Sequence, residues 1–272
     1  MKKVKYILLT AGIMLAITFT VYHYNRDNDK IDLGKTMSIF YYTVARRRKL
    51  KDAEAYYARG MAYDEKGDYD KAIADYTEAI RLEPNEAKVY SCRGIAYAVK
   101  EDYDKAIFDF SEAIRLEPNE AKAYYARGIM YAEKEDDKAI SDFSEAIRLE
   151  LKAAGVYCAR GKAYYRKEDY DRAISDYTEV IRLEPNEAEA YSYRGIAYAV
   201  KEDYDKAISD YTQAIRLEPN EANVYSCRGE AYAKKGDYDK AIADYESALR
   251  IDPNNSEAKN ALENLKNTEQ KQ

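Results

Sequence analysis

Six glycines, Gly60, Gly94, Gly128, Gly161, Gly195 and Gly229, stand 34, 34, 33, 34 and 34 residues apart. A period of that length means that one supersecondary unit is built repeatedly, and that neighbouring units share a core which none can complete alone. Each glycine is the fifth residue of a Tyr-x-x-Arg-Gly-x-x-Tyr octet, beginning at Tyr56, Tyr90, Tyr124, Tyr157, Tyr191 and Tyr225. Each octet leads to an Ala-Ile-x-Asp-aromatic block such as Ala72-Ile73-Ala74-Asp75-Tyr76. A second small or branched residue follows (Ala79, Ala113, Ala146, Val180, Ala214, Ala248). Proline closes five of the six units, at Pro84, Pro118, Pro185, Pro219 and Pro253.

The spacing predicts two helices per unit. Tyr56, Arg59, Gly60 and Tyr63 fall at i, i+3, i+4 and i+7, one face of a first helix. Gly60 omits a side chain where a second helix must come close. Lys66-Gly67-Asp68 breaks the run, Asp70 is placed to cap the second helix, and Ala72, Asp75, Tyr76 and Ala79 mark its inward stripe. Pro84-Asn85 ends that helix. The third unit is irregular: 135–138 is one residue short, Leu151 stands where the closing proline belongs, and Gly155 opens the next helix. These changes predict a bend or hinge between units three and four.

The pattern resembles the tetratricopeptide repeat, W-x₂-L-G-x₂-Y…A-x₃-F…P, with tyrosine in place of its tryptophan and arginine in place of its leucine. The resemblance implies an all-α, right-handed α-solenoid of six helix-turn-helix repeats over residues 53–86, 87–120, 121–153, 154–187, 188–221 and 222–255. Residues 256–272 read as a capping helix and tail, with Ala258, Leu262 and Leu265 against the sixth repeat. Ahead of the first repeat, residues 25–52 are a linker. Within it Ser38, Tyr42 and Ala45 lie 34 residues before Ala72, Tyr76 and Ala79. Residues 36–51 thus read as a degenerate second helix packing on repeat one, or as a plain helical linker.

Arginine and aspartate recur together in every repeat: Arg59 with Asp75, Arg93 with Asp109, Arg127 with Asp142, Arg160 with Asp176, Arg194 with Asp210 and Arg228 with Asp244. A guanidinium on a buried stripe is costly without a partner. Ion pairs within each repeat are therefore favoured over a ladder of arginines gripping an acidic ligand.

In the family the groove is lined mainly by the first helices. Helical spacing places Tyr57 and Met61; Ser91, Ile95 and Val99; Tyr125 and Ile129; Lys162 and Tyr165; Ser192, Ile196 and Val200; and Glu230 on that face. The lining is apolar and hydroxylated, which fits a peptide groove; the competing reading is that Ile95, Ile129 and Ile196 only pack helix on helix. The paired Lys and Asn with which some members grip chaperone C-termini are missing from these places, so a chaperone co-factor role is not expected.

Residues 1–24 have a different character. After Lys2, Lys3 and Lys5, the 19 residues 6–24 carry Thr10, Thr18, Thr20 and His23 as their only polar members. A helix of that length spans roughly 28 Å, close to the ~30 Å hydrocarbon core of a bilayer. The bulky residues 21–25 favour a retained signal-anchor over a cleaved signal peptide, which wants a small-x-small site. Lys2-Lys3 ahead of the span favours a cytoplasmic N-terminus with the repeats on the extracytoplasmic side (periplasmic in a bacterium), although Arg26, Lys30, Lys35 and Arg46-Arg47-Arg48-Lys49 lie beyond it.

A net charge of −6, with acid and base alternating along the helices, supplies no basic face for nucleic acid. One histidine, His23, and three cysteines, Cys92, Cys158 and Cys227, without a CxxC pair, offer neither a triad nor a multi-histidine metal site. Alternate repeats stand too far apart for a disulfide, so the cysteines read as small buried thiols. The expectation is a non-catalytic scaffold without cofactor, holding a protein or peptide ligand at a membrane through its N-terminal helix. A self-assembling, dimerising array is the other reading, and a secreted soluble form after cleavage a third.

Overall fold

The computed structural model describes residues 52–151 and 153–269. The expected membrane span at residues 6–24 and the expected degenerate helix at 36–51 both lie outside these residues. Among the described residues no helix is long and apolar enough to cross a membrane.

Thirteen α-helices are described: α1 (Ala53–Asp64), α2 (Tyr69–Leu82), α3 (Ala87–Val99), α4 (Tyr103–Leu116), α5 (Ala121–Glu133), α6 (Lys138–Arg148), α7 (Ala154–Arg166), α8 (Tyr170–Leu183), α9 (Ala188–Val200), α10 (Tyr204–Leu217), α11 (Ala222–Lys234), α12 (Tyr238–Ile251) and α13 (Ser256–Glu269). They belong to two compact units, divided at Pro118. The first holds two helical hairpins, α1/α2 and α3/α4. The second holds four, α5/α6 to α11/α12, closed by α13 against α12. The irregular junction between repeats three and four lies inside the second unit, and the division falls one repeat ahead of where the sequence predicts a bend.

The turn inside each hairpin needs a left-handed residue. Glycine supplies it at Gly67 (φ +75°) and Gly236 (φ +83°), and Glu101, Glu168 and Glu202 adopt φ of +60° to +61° in the same place. The second helix then starts on an aspartate, though not the one the sequence pattern suggests. Asp68, two residues before Asp70, is the N-cap of α2 and accepts from Lys71 N at 3.4 Å. Asp102, Asp169, Asp203 and Asp237 do the same for α4, α8, α10 and α12. Asp70 lies in the first turn, where its charge suits the helix dipole. Repeat three lost a residue in this turn, and its second helix starts two residues late, on Lys138 at the place of Lys71, and ends one residue early. α6 has 11 residues against 14, and Asp137 makes no side-chain cap bond.

Small residues and one large ring fill each hairpin. Tyr76, Phe110, Phe143, Tyr177, Tyr211 and Tyr245 are all at most 3 % exposed, flanked by buried alanines or Val180. The octet glycine makes room for each ring. A Cβ on Gly60 would stand 2.6 Å from Tyr76 Cε1, and one on Gly128 2.7 Å from Phe143 Cε1. That close approach lets a hairpin bury a stripe made largely of alanine.

Successive hairpins in a unit are stapled by polar bridges. Arg93 Nη1 donates to Thr77 Oγ1 at 3.0 Å, and Lys100 Nζ meets Asp70 Oδ1 at 2.6 Å. In the second unit Arg160, Arg194 and Arg228 donate likewise to Ser144, Thr178 and Thr212 at 3.0–3.1 Å. Lys167, Lys201 and Lys235 pair with Asp137, Asp171 and Asp205. At the C-terminal end Asn255 Oδ1 accepts from Ala258 N at 2.9 Å and starts α13. Ala258, Leu262 and Leu265 pack beside Tyr245.

Candidate peptide-binding groove

The arginine of each octet is held from three sides. Arg160 Nε and Nη2 donate to Asp176 Oδ2 and Oδ1 at 2.8 and 2.7 Å. Its guanidinium lies 5.9 and 5.7 Å from the ring centroids of Tyr157 and Tyr164, the two tyrosines of its own octet. The same two-pronged bond joins Arg59 to Asp75, Arg93 to Asp109, Arg127 to Asp142, Arg194 to Asp210 and Arg228 to Asp244, at 2.5–2.8 Å. Hydrogen bonding to its aspartate raises the pKa of Arg160 above the ordinary arginine value. Burial pushes the Asp109 carboxyl up, with Arg93 opposing. The six aspartates are buried. Each arginine is thus paired with the aspartate of its own repeat. The sequence pattern did not show the part of the octet tyrosines, which frame the guanidinium and keep water from the pair.

The groove candidates divide between the two units. In the first, Tyr57 stacks obliquely on Tyr76 (centroids 6.0 Å apart) and its hydroxyl meets Cys92 Sγ at 3.7 Å. Met61 joins the same cluster, so both residues serve the core as well as the surface. Ser91 is half-buried, whereas Ile95 and Val99 are 48 and 53 % exposed, one turn apart on α3.

The second unit brings its candidates together. Tyr125 and Ile129 of α5, Lys162 and Tyr165 of α7, and Ile196 of α9 line one cavity of about 830 Å³, joined by Cys158, Tyr177 and Tyr193. Ser192 and Ile196 face a neighbouring cavity of about 260 Å³ with Val224 and Cys227, and the Ser192 hydroxyl donates to Ala188 O at 3.2 Å. Val200 is exposed on α9 and Glu230 on α11. Ile129 and Ile196 also pack on the Phe143 and Tyr211 clusters, so the helix-packing role and the lining role coexist.

Gly155 creates much of this space. Glu54, Lys88, Lys122, Glu189 and Asn223 hold its place in the other repeats. In the first unit the Lys88 ammonium covers the Tyr57 ring at 5.2 Å. In α7 nothing extends from Gly155, and a Cβ there would meet only the Tyr125 hydroxyl, at 3.5 Å. The tyrosine ring stays open to the cavity.

One polar cluster stands on this apolar wall. Lys162 Nζ lies 3.3 Å from Glu189 Oε1 and 4.3 Å from the Tyr193 ring centroid, and Tyr193 Oη donates to the same carboxylate oxygen at 2.6 Å. That bond, with Lys162 adding to it, lowers the Glu189 pKa. Burial lowers the Lys162 pKa, but Tyr193, Cys158 and Glu189 outweigh it and the ammonium ends above its ordinary value. Burial raises the Tyr125 and Tyr165 phenols, which stay protonated as donors. Arg166, beside Lys162 on α7, donates to Ala132 O of α5 at 2.9 Å. Tyr193, Glu189, Cys158 and Gly155 were not among the expected groove residues. Comparing repeats column by column marks Tyr193, since Ala58, Cys92, Ala126, Ala159 and Cys227 hold its place elsewhere. Cys92, Cys158 and Cys227 are free thiols, and burial pushes Cys227 up to about 11.

Models of the tetratricopeptide repeat match residues 53–86, 87–120 and 222–255, and 158–222, together more than half of the chain. The chain belongs to the tetratricopeptide repeat family. Its octets carry the two departures noted above, and the Arg–Asp–Tyr arrangement explains why they occur together. Among solved structures of the same fold, MamA is 26 % identical over 61 % of this chain and 92 % of its own, with a TM-score of 0.60. YrrB, described as a tetratricopeptide repeat protein with an unusual peptide-binding site, is 24 % identical over 68 % and 96 %, with a TM-score of 0.63. The C-terminal part of a repeat protein from Cytophaga hutchinsonii is 23 % identical over 84 % and 94 %, with a TM-score of 0.69. No curated protein matches the chain in sequence.

Proposed function

We propose that the chain is a non-catalytic scaffold which holds an extended or helical segment of a partner protein in the groove of repeats three to five and presents it at a membrane. The cavity of about 830 Å³ carries this reading, because its walls combine half-buried apolar side chains with a few fixed polar groups. Ile129 and Ile196 offer apolar contact, Tyr125 and Tyr165 offer hydroxyl donors on rigid rings, and the Lys162–Glu189–Tyr193 cluster offers both charges. Tetratricopeptide repeats are typically interaction scaffolds, which favours binding over chemistry. The apolar residues 6–24 support the membrane part, with the repeats on the extracytoplasmic side.

Cross-linking of the full chain in its membrane, followed by identification of the bound proteins, tests the groove. Ile129→Asp and Lys162→Glu serve as controls. The second changes a half-exposed side chain and leaves the Phe143 cluster intact. Both variants are expected to lose the partner that the unaltered protein captures. Identical partner sets for all three would remove the groove from the account. Deleting residues 6–24 is expected to release the protein from sedimented membranes, and continued sedimentation would remove the anchor.

A further inference from the structure

Tyrosine stands second in two of the six octets, as Tyr57 and Tyr125, and the two rings are covered differently. In the first unit Lys88, in the first turn of α3, holds its ammonium 5.2 Å from the Tyr57 ring centroid. Gly155 takes the place of Lys88 in α7, and no cation lies over the Tyr125 ring among the described residues. An aromatic face attracts an ammonium or guanidinium, most strongly where water is excluded. The first unit thus shows with its own lysine what fits a ring in this position. The second leaves the position open to the cavity of about 830 Å³.

We infer that the cavity takes a basic peptide segment of the partner, with a lysine or arginine side chain laid over the Tyr125 ring in the space Gly155 leaves, and a main-chain carbonyl of the segment accepting from Tyr177 Oη. This occupant presupposes that the groove of repeats three to five holds a partner segment, as proposed above.

The charges on the wall agree. Glu133 and Glu135 line the cavity, are exposed and form no ion pair among the described residues. The two cations of the wall are engaged, Lys162 with Glu189 at 3.3 Å and Arg166 with Ala132 O at 2.9 Å. Lys162 also covers the Tyr193 ring at 4.3 Å, which closes that end of the cavity to a second cation and leaves the Tyr125 end. An entering carboxylate would meet two unmatched acids, whereas a cation finds both of them and an open ring. Tyr177 supplies the second contact. It is 1 % exposed yet lines the cavity, and its hydroxyl meets no partner among the described residues. Burial raises its pKa, so the phenol stays protonated as a donor. A buried donor left unmatched is costly, and a ligand carbonyl removes that cost.

Selection of phage-displayed random heptapeptides on the full chain in detergent micelles tests it. The selected peptides are expected to share a lysine or arginine at one position, and to be lost with Gly155→Trp, which fills the cavity from its open side. Replacing the shared residue by norleucine keeps the apolar stem and is expected to weaken binding roughly tenfold. Gly155→Lys gives the ring an internal cation, as Lys88 does for Tyr57, and should weaken binding to a similar degree, while Gly155→Ala should leave it unchanged. Tyr177→Phe keeps the ring that Phe143 provides in repeat three and is expected to weaken binding roughly fivefold; an unchanged affinity there would remove the carbonyl contact. Peptides that need the open cavity but share an acidic or apolar residue, or that bind Gly155→Lys as well as the unaltered protein, would overturn the basic occupant and leave the groove standing. Peptides indifferent to Gly155→Trp, or no selected peptide at all, would overturn both.

Discussion

Arg160 and Asp176 meet through two parallel hydrogen bonds, of 2.8 and 2.7 Å, with the aspartate side chain 5 % and the arginine side chain 18 % exposed. The pair joins the two helices of repeat four, and the remaining guanidinium nitrogen joins that repeat to the one before it through Ser144. One side chain therefore serves both the hairpin and the stack.

Arg160→Ala leaves a buried carboxylate without its partner and is expected to lower unfolding stability by about 3 kcal/mol. Arg160→Lys keeps the charge but not the two-pronged geometry, and falls in between. The double variant Arg160→Met/Asp176→Leu removes both charges and should recover most of the loss. Urea unfolding of the three proteins measures this. An Arg160→Ala protein as stable as the original would show that the pair contributes nothing.

Gly128 and Gly155 should respond in opposite ways to alanine. A Cβ on Gly128 would stand 2.7 Å from Phe143 Cε1 and 3.3 Å from Asp142 Cβ, both buried, so Gly128→Ala is expected to cost about 2 kcal/mol. Gly155 lies in the first turn of α7 with only the Tyr125 hydroxyl in reach, and alanine suits a helix better by roughly 1 kcal/mol. Gly155→Ala should leave the urea midpoint unchanged or raise it. The reverse order of midpoints would contradict the close packing of glycine on ring.

Acid should weaken the array through its helix caps. The lysine or arginine folded back onto Asp68, Asp102, Asp169, Asp203 and Asp237 holds each carboxyl below its ordinary value of 3.8, aided by a backbone N–H. A carboxyl whose folded pKa is depressed contributes stability above its unfolded value, and that contribution is lost as pH falls through the folded one. Asp64 and Asp109, pushed up by burial, act in the opposite sense but are two groups against five. The melting temperature should therefore hold from about pH 7 to about pH 5 and fall below about pH 4. Thermal denaturation followed by circular dichroism checks it, and a melting temperature that rises below about pH 4 would refute it.

Much of the fold could be read directly from the period. Glycine every 34 residues, an aromatic sixteen positions later in the regular repeats and a closing proline specify a hairpin and its repetition, because close approach and helix stops depend on backbone chemistry alone. The cap was misplaced by two residues. Asp68 and Asp70 are both aspartates near the same helix start, and only the backbone path shows whose oxygen meets the free N–H groups. The groove was legible in part. Helical spacing selects Ile129, Lys162, Tyr165 and Ile196, but spacing cannot say that Gly155 leaves Tyr125 uncovered or that Tyr193 and Glu189 close around Lys162.

The sequence by itself determined that hairpins recur and that each carries a cation and an anion on facing stripes. Those features repeat locally, and local spacing is enough to see them. Only the tertiary structure decided where the arginines stop being available to a ligand, since that depends on Asp176 and two tyrosine rings converging on Arg160 from both helices of one hairpin. It likewise decided that the irregular third repeat leads into a cavity. A missing side chain opens space only when its neighbours are held in place by packing of their own, as Tyr125 is by Phe143, 5.9 Å away.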